Sequence, residues 1–161
     1  KEAEDQLVHG LGKLLPDAGF LTEEDTKNKL GREYTWIIDP LDGTTNFLNQ
    51  VPHFSVSIAL QKNNQTILGL VKEVNSGEEW TALKGEGAFL DGFPYSNSHD
   101  YEAMFKVLKH WLTNTRGMRR LGSAALDLCY VACGRYGAFY ETTLSAWDVA
   151  AGALIVQEAG G

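Results

Sequence analysis

The 161-residue chain holds only two cysteines, Cys129 and Cys133, and neither has a histidine partner at metal-ligand spacing. Four apart in an expected helix, the thiols share one face and read as small buried apolar groups, which excludes a zinc site. No apolar run is long enough to cross a bilayer and no charged-then-apolar leader opens the chain, so the expectation is a soluble protein in the cytoplasm. Basic residues are scarce: 14 Lys and Arg stand against 21 Asp and Glu, a formal charge of -7, and the isoelectric point is near 5.0. Nucleic acid is therefore not expected as a partner, because it is bound through basic patches. A phosphate-bearing ligand would have to be attracted by bound cations instead. What the chain does have is apolar surface, 43% hydrophobic residues, enough for one core and a single domain over residues 1–161.

The chemistry concentrates in Trp36-Ile37-Ile38-Asp39-Pro40-Leu41-Asp42-Gly43-Thr44-Thr45-Asn46-Phe47. The β-favouring residues 34–38 run into a carboxylate, a proline, a second carboxylate and a glycine, which reads as a strand stopping at a functional loop. Pro40 biases Asp39 toward an extended conformation, so both carboxylates can face one cavity. Each then disfavours the other's ionised form, and a divalent cation resolves the repulsion. Hard oxygen ligands of this kind suit Mg2+, with the carbonyl of Leu41 as a further ligand. Gly43 lets the backbone come close to a ligand, and a short helix opening at Thr44 and Thr45 would aim unpaired N–H groups at an anion. The competing reading of the same residues is a surface turn punctuated by Asp-Pro and Asp-Gly.

The segment W-I-I-D-P-L-D-G-T-T-N-F resembles the first signature of the inositol monophosphatase family of Mg2+-dependent sugar-phosphate phosphatases. Trp147-Asp148 through Glu158-Ala159-Gly160-Gly161 resembles the second, and the likeness covers nearly the whole chain and points to a bacterial member. The resemblance implies an α/β (α+β) fold, the layered αβαβα sandwich of the sugar phosphatases, truncated at both ends here. It also implies residues missing between Gly92 and Phe93, where relatives place a valine-serine stretch and another strand.

By the same resemblance Glu23, Asp39, the Leu41 carbonyl, Asp42 and Asp148 hold two or three Mg2+ ions, with Mn2+ as a possible substitute. Catalysis falls to Glu23, Thr44 and Asp42, with water as the nucleophile, oriented and deprotonated by Thr44 and Glu23, and with Glu24 as a supporting acid. Leu41, Asp42 and Asp148 contact the substrate, the N–H groups near Gly43 and Thr44 bind its phosphate, and Gly122, Ser123, Ala124 and Glu141 read the ring hydroxyls. The implied reaction is hydrolysis of a phosphate monoester, myo-inositol phosphate first, by a homodimer. Fructose 1,6-bisphosphate, histidinol phosphate and phosphoadenosine phosphate are the alternative substrates. From a different class, a non-catalytic module that binds the transcription or translation machinery on the same fold stays open.

Periodicity supplies the frame around these residues. Leu7, Val8, Leu11, Leu14 and Leu15 repeat at helical spacing until Pro16, so residues 1–15 read as an amphipathic helix. Residues 18–25 read as a short strand running into Glu23-Glu24-Asp25, a cluster that alone would be a solvated turn, and residues 26–33 as a mobile loop. Residues 52–60, 66–74 and 78–83 form an antiparallel meander, with Phe54, Val56, Ile58 and Leu60 on one face. Lys84-Gly85-Glu86-Gly87 lacks the terminal lysine and hydroxyl residue of a P-loop and reads as a hairpin turn. Asp100 caps a helix with Val107 and Trp111 inward, and Arg116, Arg119 and Arg120 form the only basic cluster, open between phosphate binding and strand-edge or dimer contacts. Ser123 caps a helix ended by Gly134, and residues 136–140 read as a strand leading to Glu141. Ser145 and Asp148 have the capping-box form, so Asp148 taken alone would be a helix-start acid.

Overall fold

The computed structural model describes residues 1–24, 28–95, 119, 121–141 and 144–161. The first apolar repeat forms α1 (Glu2–Leu14), with Glu2, Glu4 and Asp5 in its first turn and Lys13 in its last, the signs a helix dipole favours. Seven strands then build a sheet whose spatial order is the chain order: β1 (Gly19–Thr22), β2 (Tyr34–Asp42), β3 (Ser55–Lys62), β4 (Gln65–Glu73), β5 (Glu79–Leu83), β6 (Gly87–Leu90) and β7 (Phe93–Tyr95). β1 lies parallel to β2, and the other neighbouring pairs are antiparallel. The expected meander is β3 to β5, and it runs on through β6 and β7. Among the described residues three further helices are α2 (Thr44–Leu48), α3 (Ala124–Ala132) and α4 (Ala146–Glu158).

The period-2 alternation of β2 divides the molecule into layers. Trp36 and Ile38 face α1, where they bury Val8 together with Ile58. Ile37 faces the other way and joins Val71, Trp80, Leu126, Leu154 and Ile155 in a core shared by the sheet, α3 and α4. Full burial of side chains such as Ile155 and Leu126 stabilises the fold by about 1.5–3 kcal/mol each. Small residues bring α4 close to the sheet: a Cβ on Gly69 of β4 would lie 2.6 Å from the carbonyl oxygen of Ala151. Helix, mixed sheet and helix pair thus give the α+β layering expected for the sandwich, and its second sheet is not among the described residues. Among those residues no helix is long and apolar enough to cross a membrane.

In three places the local structure departs from the pattern of the sequence or adds to it. β2 does not stop at Ile38 but continues to Asp42, with its pairing to β3 broken between Asp39 and Asp42. Pro40 falls inside that break, where its missing N–H removes no ladder bond. Asp91 and Gly92 both have positive φ, at 50° and 80°, and close a two-residue hairpin with Leu90 opposite Phe93. Asp-Gly is the residue pair that such a primed turn favours, a signal not used in reading the sequence. Finally, residues 136–140 form no strand. β propensity needs a pairing partner to act on, and Tyr136 instead folds back, its N–H donating to the Tyr130 carbonyl at 3.0 Å and its ring packing edge-on against Tyr130. Asp25, residues 26–27, the helix expected from Asp100, and Arg116 and Arg120 lie outside the described residues.

Candidate active site

The break in β2 turns two carboxylates toward one point. Asp39 and Asp42 meet Asp148, from the first turn of α4, with ligand oxygens of the three within 4.8 Å of one another. Asp39 and Asp42 are buried, at 2% and 8% exposure. Asp39 Oδ1 accepts the Leu41 N–H at 2.9 Å. Asp42 Oδ2 accepts the Ser123 hydroxyl and, at 3.1 Å, the Ala125 N–H of α3. Asp148 Oδ2 accepts the Ser145 N–H at 2.6 Å, so the capping box forms, and the same carboxylate also belongs to the cluster.

Burial pushes the Asp39 carboxyl well above the usual carboxylate range, helped by a hydrogen bond and charge from Glu23 and by the charge of Asp42. Asp42 is also raised, by burial first, against the opposing hydrogen bonds from Ser123 and Ala125, and the Asp148 charge adds to the rise. Three carboxylates in this space do not all ionise without compensating charge. A hard divalent cation supplies that charge, and an all-oxygen donor set fits it.

Glu23 reaches the cluster because of the parallel pairing. Thr22 lies opposite Ile38, and the Glu23 N–H donates to the Ile38 carbonyl at 3.3 Å, which sets Glu23 beside Asp39. Its neighbour Glu24 donates its N–H to Glu4 Oε2 at 3.1 Å, and Glu4 on α1 is fully buried. Reading the sequence missed Glu4, although an acid on the same helical stripe as Leu7, Val8 and Leu11 was the signal.

Beyond Asp42 the chain turns at Gly43, whose φ of 90° strains any residue with a side chain and whose Cβ would lie a tight 3.1 Å from the His53 carbonyl oxygen and 3.2 Å from that of Gly122. α2 then opens at Thr44 as expected, and the Thr44 hydroxyl donates to the Leu41 carbonyl at 3.0 Å. A carbonyl oxygen has two lone pairs, so one stays available. The Asn46 amide donates to the carbonyls of His53 at 2.8 Å and Leu121 at 2.6 Å and so ties α2 to the segment holding Gly122. Asn46 also went unread, although it stands inside the signature.

A cleft of about 740 Å³ opens next to the cluster, with Asp42, Asp148, Gly122, Ala124, Glu141 and Asn46 on its wall. Ser123 is fully buried, with its side chain turned to Asp42. Asp127 of α3 is buried too, and burial and then the charges of Asp42 and Glu141 push it up to about 7. It lies in an apolar helix whose sequence carried no sign of it. Elsewhere, the glycine-rich turn at residues 84–87 takes no outside anion: the N–H groups of Gly85 and Gly87 donate to the Glu158 carboxylate at 2.8 and 3.0 Å.

Comparison with known proteins agrees with this geometry. The family model described as the inositol monophosphatase family matches residues 1–161. The chain is 40% identical to an inositol-1-monophosphatase of Mesorhizobium japonicum and 39% identical to Nus factor SuhB of Pasteurella multocida, in both cases over all of this chain and 68% of the relative. The crystal structure of the extragenic suppressor protein suhB from Bartonella henselae superposes with a TM-score of 0.89 at 37% identity, covering 99% of this chain and 70% of that one. Matched from end to end and folded as these relatives are, the chain belongs to the inositol monophosphatase family.

Proposed function

We propose that the protein is a Mg2+-dependent phosphate monoester hydrolase acting on a phosphorylated polyol, with myo-inositol phosphate as the first candidate. The observation that carries this reading is the meeting of Asp39 and Asp42 with Asp148, distant from both in sequence, beside a cleft walled by Glu141. Glu23, Asp39, the Leu41 carbonyl, Asp42 and Asp148 would hold two or three Mg2+ ions, or Mn2+ in their place. When bound, these ions supply the positive charge that phosphate transfer requires. Glu23 and Thr44 orient the attacking water, and Glu23 takes its proton. The N–H groups of Gly43 and Thr44 bind the phosphate. Gly122, Ser123 and Ala124 present backbone to the ring, and the Glu141 carboxylate accepts a ring hydroxyl. The polar groups on the cleft wall, Thr45, Asn46 and Glu141 beside Asp42 and Asp148, support a polyol over an apolar substrate.

The same reading takes the protein to be a cytoplasmic homodimer. It also takes the residues present in relatives but absent here to fall between Gly92 and Phe93. Alignment to the Pasteurella relative runs over 181 positions, more than the 161 this chain contributes.

Phosphate release from a panel of myo-inositol 1-phosphate, fructose 1,6-bisphosphate, histidinol phosphate and phosphoadenosine phosphate, with and without Mg2+, tests the reading. Asp42→Asn is expected to abolish release without unfolding the chain, and retained turnover in that variant would remove the assignment. A second reading is kept because the Pasteurella relative is called a Nus factor: on the same fold the chain would be a non-catalytic module that binds the transcription or translation machinery. Partner capture that persists in Asp42→Asn would support it.

A further inference from the structure

Ser123 lies at the wall of the cleft with its hydroxyl buried, and the bonds of that hydroxyl run in one direction. The Leu126 N–H of α3 donates to Ser123 Oγ at 3.4 Å, as an N-cap requires, and the single hydroxyl proton of Ser123 goes to Asp42 Oδ2. Ser55, fully buried on β3, stands 3.4 Å from Ser123 Oγ and 3.5 Å from Asp42 Oδ2. Since the Ser123 proton is already committed, the Ser55 proton also lies toward this pair. The Ala125 N–H donates to the same oxygen at 3.1 Å, and the Ala124 N–H also bonds the Asp42 carboxylate. Ser123 and Ala125 donate to Oδ2 with Ser55 beside them, so Oδ1 is the oxygen left to join Asp39 and Asp148 around a cation. A chain of bonds that all point their protons at one carboxylate polarises along its length and carries the positive end of the α3 dipole to Asp42.

We propose that Ser123, backed by Ser55, is a positioning residue for the divalent-cation site: it fixes the Asp42 carboxylate so that Oδ1 faces the cation, and thereby ties α3 to metal affinity. The N-cap and the metal ligand are then one device. Any backbone contact that a substrate makes at Gly122 or Ala124 acts on the segment that holds Asp42. The inference rests on the functional reading above only in requiring that a divalent cation binds at Asp42.

Mn2+ binding to the metal-free full chain, followed by the electron paramagnetic resonance of free Mn2+, provides the test, with the apo melting temperature recorded alongside. Ser123→Ala is expected to weaken Mn2+ by about 10-fold or more, the range found when a group orienting a ligand is removed. Ser123→Thr, which keeps the hydroxyl, should bind within about 3-fold of wild type on the same scale. Ser55→Ala should lose less than Ser123→Ala, because its bonds are longer. Glycine is nearly as good an N-cap as serine, so Ser123→Gly removes the hydroxyl at little cost to the helix and serves if Ser123→Ala does not fold. Mn2+ affinity within twofold of wild type in a folded Ser123→Ala or Ser123→Gly chain would overturn the proposal, even with a lowered melting temperature, since a purely structural cap predicts that outcome. Failure of the functional reading looks different: Mn2+ would still bind and still depend on Ser123, while no phosphate ester was hydrolysed.

Discussion

Glu73 at the end of β4 and Asp39 near the end of β2 are both buried carboxylates, 4% and 2% exposed, and their surroundings drive them in opposite directions. They stand at the same end of the sheet, with Ser55 of β3 paired to Glu73 on one side and to Asp42 on the other. Burial alone would raise Glu73, but the Ser76 backbone N–H, the Asn75 amide and further donors of residues 75 and 76 outweigh it and hold the carboxyl down at about 2. Asp39 has one backbone donor, from Leu41, against burial and two neighbouring acids, and its carboxyl rises. The difference separates a carboxylate that the fold satisfies from carboxylates that the fold gathers and leaves in need of a cation.

Removing the charge at each position should therefore act with opposite sign on the metal-free protein. Asp39→Asn is expected to abolish metal-dependent phosphate release, the largest effect of the set, while the metal-free chain melts no lower than wild type. An amide can still accept the Leu41 N–H, and the repulsion from Glu23 and Asp42 is relieved. Calorimetry of the metal-free variant beside a phosphate-release assay checks both halves. A variant that unfolds early yet still turns over would erase the distinction.

Glu73→Gln reverses the pattern. Loss of the charge-assisted bonds to residues 75 and 76 should cost about 2 kcal/mol in urea unfolding at pH 7 and leave Mn2+ affinity unchanged. The pH dependence follows from the direction of the shift. The folded carboxyl lies below its ordinary value of 4.5, so its contribution is complete above that pH and is lost as pH falls toward about 2. The stability gap between wild type and Glu73→Gln should close over that acid window, and a gap that is constant with pH would mean that the charge is not the cause.

How far the contrast was legible differs between the two ends. Asp39, Asp42 and Asp148 stand in contiguous signatures whose residue types state their chemistry, and the alternation around Ile58 and Val71 was enough to place the meander. Glu23 needed more. Its position beside Asp39 depends on β1 running parallel to β2, a pairing that no local pattern announces, and residues 136–140 show the converse, strand-like composition with no partner among the described residues. Glu4, Asn46 and Asp127 matter through what they touch after folding. None of the three was read in advance, although Glu4, an acid on an apolar stripe, left a legible sign.

Cation binding sharpens the comparison at smaller amplitude. With Mg2+ at ten times its dissociation constant, wild type should gain about 1.4 kcal/mol by linkage, and the Asp39→Asn and Asp42→Asn chains should gain almost none. Glu73→Gln should gain as much as wild type, because its defect lies outside the cluster. Equal Mg2+ stabilisation of all four proteins, measured by thermal unfolding, would move the cation to another part of the surface.

Glu158 extends the argument to the far end of α4 and to the smallest effect. Its carboxylate closes the β5–β6 turn by accepting two backbone N–H groups, from Gly85 and Gly87, so like Glu73 it is an anion with its donors supplied. Glutamine presents one oxygen and one NH2 group, and the NH2 would face an N–H that needs an acceptor. One bond survives and the other becomes a donor–donor contact, for a loss of about 1 kcal/mol because both glycines sit at a turn where water can take over. Unfolding of Glu158→Gln should show that loss with phosphate release and Mn2+ affinity intact, although Glu158 belongs to the same signature as Asp148. A change in metal affinity would instead mean that α4 transmits the state of its last turn to Asp148 in its first.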